Sequence, residues 1–68
     1  MYNRIKGAVY AKGMKMTDFY KATGFFASTL QRRCEKGKLT VHDVKIIKET
    51  LNLSGAEIMS IFFEKELA

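Results

Sequence analysis

The 68-residue sequence has no proline, no tryptophan, one cysteine and one histidine. Without proline, nothing is obliged to break a helix from within, so helix ends must be set by other residues. A single cysteine excludes an internal disulfide and suits a reducing compartment. Cys34 has no companions at metal-ligand spacing. His42 stands alone with Asp43 as its near acidic neighbour, and no Ser/His/Asp set, Gly-rich phosphate loop or paired carboxylates occur at useful spacing. The residues thus argue against an enzyme, a metal centre or a bound cofactor. No apolar run approaches a membrane span, and the opening MYNRIKG lacks a signal peptide's apolar core. These absences point to a soluble, cytoplasmic chain.

What is present is enough for one small core. Hydrophobic residues make up 47% of the chain, which argues against disorder, and the length suits a single domain over 1–68. There is no strand-like alternation, internal repeat or low-complexity segment, so the expected class is all-α with five helices. Charge is unevenly spread. Residues 1–38 carry nine Lys or Arg against Asp18 and Glu35, 9 − 2 = +7, whereas residues 39–68 carry three against five, 3 − 5 = −2. A basic half suits a polyanion partner, and equally suits a solvated surface that keeps a small protein soluble.

Tyr2, Ile5, Ala8 and Val9 form one stripe, predicting a first helix over residues 2 to about 12. Gly7 inside it suggests close packing against a neighbour, and Gly13 is the natural end. Thr17 is the expected N-cap of a second helix, with Asp18 in its first turn and Phe19, Ala22 and Thr23 inward. Gly24 ends it. A third helix begins near Ala27 or Ser28, with Leu30 and Cys34 inward, and with Gln31, Arg32, Glu35 and Lys36 outward. Gly37 closes it. Thr40 caps a fourth helix with Asp43 at the reciprocal position, and its apolar face is Val41, Val44, Ile47 and Leu51, widened by Ile46. Asn52 ends that helix, and Ser54-Gly55-Ala56-Glu57 opens a fifth carrying Ile58, Ile61 and Phe62. Phe63 falls to one side of that stripe, and the tail EKELA (64–68) is expected to fray. Residues 17–36 therefore read as a helix-turn-helix, an element whose second helix suits a DNA major groove.

From Lys15 to Lys38, and on through Leu39 to Leu53, the chain resembles the Cro and lambda-repressor helix-turn-helix family, closest to its short phage and prophage regulators. The resemblance rests on the Thr17 cap, Gly24 in the turn, Ser28-Thr29-Leu30 opening helix three, Gly37-Lys38 after it, the helix-four stripe and Ile61-Phe62-Phe63 near the end. It implies a compact lambda-repressor-like domain that binds double-stranded DNA as a cytoplasmic, nucleoid-associated transcription regulator or repressor. By position, Ala27, Ser28, Gln31 and Arg32 would meet base edges. Arg can fork onto guanine, Gln onto adenine, and Ala onto a thymine methyl group. Thr17, Thr29, Lys36 and Lys38 would hold phosphates, with Lys15 and Lys21 as further candidates. Asn3 and Arg4 would reach a neighbouring phosphate if helix one lies near the duplex. Glu35 would repel one.

Two departures suggest a second reading. Tyr20 stands where the family has a small Ala, and Phe26 where it has a Ser-type cap. With Phe19 and Phe25 they crowd the turn, so either the helices spread or one or two rings face outward. An outward Tyr20/Phe26 surface would suit a protein partner, making the chain a protein-binding module such as an antirepressor or inhibitor. Phe62 and Phe63 cannot both face one small core, so one is available for a homodimer contact, although a chain of this size has little surface for one and a monomer is the alternative.

Overall fold

At every third or fourth residue an apolar side chain turns inward, and the result is an all-α domain. The computed structural model describes residues 1–63, and the expectation for 64–68 lies outside them. Its elements are α1 (Tyr2–Ala11), α2 (Met16–Thr23), α3 (Ala27–Glu35), α4 (Val41–Leu51) and α5 (Gly55–Ile58), which runs on as a π-helical turn, Met59–Phe63. Ile5 and Val9 of α1 are fully buried at the centre, against Phe19 of α2, Leu30 and Cys34 of α3, and Ile47 and Leu51 of α4. The backbone of α1 packs closely on α2, α3 and the terminal turn, and α2 on α4. Helix α1 is thus the rod on which α2, α3 and the terminal turn are laid, and α4 is laid on α2.

The helix ends have separable causes. Gly24 takes φ 80° and its N–H donates to the Tyr20 carbonyl, so α2 stops in the left-handed conformation that glycine adopts without steric cost. The Thr23 hydroxyl donates back to the Phe19 carbonyl and accepts from the Phe25 N–H, which holds the three residues joining α2 to α3. At Asn52 (φ 53°) the left-handed turn directs the Leu53 N–H back to the Lys48 carbonyl at 3.0 Å and buries the Leu53 side chain. Both expected capping boxes are present, Thr40 with Asp43 and Ser54 with Glu57.

Four expectations are corrected. Helix α2 starts at Met16 with Lys15 as its uncapped N-cap, so Thr17 lies inside the first turn and caps nothing. The cause is Met16, half-buried against the core, which extends the inward row to Met16, Phe19, Tyr20 and Thr23. That same rotation leaves Ala22 exposed. Val41, the first residue of α4, is 87% exposed, because the helix begins at the rim of the core and its apolar side turns inward from Val44 and Ile47. Gly7 is exposed, and a side chain added there would meet nothing within 4 Å, so no close approach accounts for it.

The aromatic crowding resolves unequally. Phe19 is fully buried and Phe25 half-buried, while Tyr20 turns inward and shares a 2.6 Å hydrogen bond with the Tyr2 hydroxyl of α1. The Phe19 and Tyr20 rings meet edge-on, and Lys6 lies over the Tyr2 ring. With Tyr20 so placed, α2 and α3 approach each other less closely than either approaches α1. Phe26 alone of the four stands out, 75% exposed. At the far end Phe62 packs half-buried on the core, and Phe63 is left 58% exposed.

Candidate nucleic-acid interface

Helix α3 is held from beneath by Leu30 and Cys34, four residues apart, so its opposite side must face solvent. Ala27, Ser28, Gln31, Arg32, Glu35 and Lys36 are all exposed, and Thr29 is half-buried. Helical spacing sorts the exposed six into two rows, Ala27–Gln31–Glu35 and Ser28–Arg32–Lys36. The rows differ in charge. The first flanks a depression of about 270 Å³ that Gln31 and Glu35 share with Asn3 at the start of α1. The second leads into a basin of about 500 Å³ where Arg32 and Lys36 meet Lys38 and Thr40.

Arg33, between the basin and the core, is spent. Its Nη1 donates to both carboxylate oxygens of Asp43, at 3.1 and 3.2 Å, and Asp43 is only 4% exposed. The same carboxylate accepts the Thr40 N–H at 3.1 Å. One acid therefore closes the N-terminus of α4 and ties it to α3. The capping motif announced Asp43, but its pairing with Arg33 depends on the apposition of two helices and leaves no sequence signal.

The remaining candidates fall into groups. Lys15 and Thr17 are exposed at the N-terminal end of α2. Lys21 is exposed in the last turn, six residues and about 9 Å along the axis from Lys15, so the two cannot serve one contact. Lys36 and Lys38 lie together in the basin. Asn3 comes beside Gln31, whereas Arg4 lines a different depression with Gly7, Ala8 and Glu57. Neither α2 nor α3 has a side-chain cap, in contrast to the boxed N-termini of α4 and α5. Their first-turn amides leave partial positive charge at each N-terminus.

Two groups withdrawn from solvent, buried Cys34 and half-buried Tyr20, have shifted acidity. Burial pushes the Cys34 thiol above its ordinary value, and the N-terminal ammonium pulls the other way. Burial, then the hydrogen bond shared with Tyr2, raises the Tyr20 phenol. Both remain neutral near pH 7, as buried structural groups do. Among the described residues no cluster of three metal-ligating side chains occurs, and no helix is long and apolar enough to cross a membrane.

Comparison with family models, curated proteins and solved structures found no match.

Proposed function

We propose that this chain binds double-stranded DNA with the exposed side of α3 in the major groove, as a transcription regulator of the Cro and lambda-repressor type. The observation that carries the reading is the Ser28–Arg32–Lys36 row, solvent-facing along its length and running into the Lys38 basin. Arg32 on this row is the side chain best suited to a guanine edge, with Gln31 beside it for an adenine. Lys36 and Lys38 continue the positive charge past the end of the helix, where a backbone phosphate would pass. The uncapped first turns of α2 and α3, with Thr17 and Thr29 in them, supply further phosphate donors. Glu35 faces the Gln31 side and disfavours phosphate there, so the duplex backbone is expected along the Arg32 side.

The test is selection of bound duplexes from a randomised pool, followed by titration of the enriched sequence at several salt concentrations. A binding constant that falls steeply with salt, and an enriched motif that Arg32→Ala erases, are the expected results. Absence of any duplex retention at low ionic strength would falsify the reading.

Phe26 favours a second reading, in which the chain uses this fold to hold a protein. A phenylalanine 75% exposed at the N-cap of α3, where Ser or Asp would serve the helix better, is the kind of side chain that anchors such contacts. Tyr20 adds little to it, since its hydroxyl is engaged with Tyr2.

A further inference from the structure

We infer a second interaction surface, on the side of the molecule where α4 begins and the chain's last described turn ends, that takes an acidic polypeptide segment with apolar anchors. A groove of about 290 Å³ opens there, floored by Cys34, Leu39, Val44 and Phe62. Val41 and Phe63 stand on its rim, 87% and 58% exposed. Two large apolar side chains left in water beside an apolar groove have no role in the core, and such a patch is where a soluble domain meets a partner.

Charge selects the occupant. The groove shares Arg33 and Thr40 with the basic basin, so Lys36, Lys38 and Arg32 border it on one flank. A segment seated on Val41 and Phe63 that continues toward α3 meets three cations with no ion-pair partner among the described residues, because the buried acid on that flank, Asp43, is already paired with Arg33. Glutamate or aspartate beside the apolar anchors satisfies them, and lysine in their place is repelled. An amphipathic segment with leucine or phenylalanine on one side and acids on the other fits both halves.

The experiment measures anisotropy of a labelled peptide of about 16 residues, with Leu and Phe at i, i+3, i+4 and i+7 and Glu at the other positions, added to the full chain without DNA. The expected result is saturable binding that weakens by about tenfold in Val41→Asp and again in Lys38→Glu, with no binding of the same peptide carrying Lys for Glu. Val41 projects into solvent, so Val41→Asp folds normally by circular dichroism and keeps whatever duplex affinity the parent has. That separates failure here from failure of the DNA reading. Three results overturn the proposal. One is no binding by the acidic peptide, and another is equal binding by the lysine peptide or by Val41→Asp. The third is a concentration-dependent dimer in sedimentation that Val41→Asp dissolves, which would make a second copy the occupant.

Discussion

Arg33 of α3 grips Asp43 of α4 through one nitrogen and both carboxylate oxygens, and the carboxylate simultaneously caps the helix that carries it. The pair sets how α3 stands relative to the start of α4. Its strength lies on the aspartate side, since the arginine side chain keeps 41% of its exposure and its charge is partly screened. Asp43→Ala loses the cap and strands Arg33, at a cost of about 2 kcal/mol. Asp43→Asn keeps an acceptor for the Thr40 N–H and costs about half as much. A double-mutant cycle with Arg33→Met, read by urea unfolding, should return a coupling of about 1 kcal/mol. Additive effects would show the pair to be incidental.

Glycines 7 and 24 make opposite predictions from the same chemistry. Gly7 lies mid-helix with open space around it, so Gly7→Ala should stabilise the fold by about 0.5–1 kcal/mol. Gly24 has φ 80°, and Gly24→Ala should cost about 1 kcal/mol or more although nothing crowds the site. Thermal midpoints that move in one direction for both variants would contradict this account.

Phe26 is a helix cap of poor quality, so Phe26→Ser should gain about 0.5–1 kcal/mol by giving the α3 amides an acceptor. The side chain is too exposed for its packing to offset the gain. If Phe26 instead anchors a protein partner, the variant is more stable and the complex weaker, which a pull-down of that partner would register alongside the melting curve.

Stability should decline at both ends of the pH scale for different groups. The Ser54 N–H, and after it Lys12, hold Glu57 below its ordinary 4.5, so its contribution is complete above that value and fades as pH falls through the depressed one. Cys34 and Tyr20 are raised from 9.0 and 10.0, so the fold favours their neutral forms. Their contribution is complete below those values and fades as pH rises past them. Urea midpoints measured across the range should fall on both sides, and Tyr20→Phe should flatten the alkaline side. An alkaline limb unchanged by that substitution would place its origin elsewhere.

For the proposed DNA face, base-edge and phosphate contacts should separate in binding measurements. Arg32→Ala should cost about 1–3 kcal/mol and relax preference at one base pair, with Gln31→Ala acting similarly at its neighbour. Lys36→Ala and Lys38→Ala should each lower the salt slope by about 1 and weaken all sequences alike. Arg33→Met should leave the slope unchanged, since its charge is already matched by Asp43. Equal slopes for Lys36→Ala and Arg33→Met would contradict the assignment of the basin.

Local chemistry was legible in the chain itself wherever neighbours in sequence decide the outcome. Thr40 with Asp43, Ser54 with Glu57, the turns at Gly24 and Asn52, and the outward set Gln31, Arg32, Glu35 and Lys36 all follow from spacings of three or four residues. Packing between helices decided what spacing leaves open. Met16 joined α2 because the core had room for it, which displaced Thr17 from the cap and turned Tyr20 rather than Ala22 inward. Val41 belongs to the α4 stripe by periodicity yet lies beyond the edge of the core, and Arg33 met Asp43 because the chain between α3 and α4 brings together two side chains ten residues apart. A periodic pattern records which side of a helix is apolar, but where along its length the burial begins and ends is set by the neighbours it is pressed against.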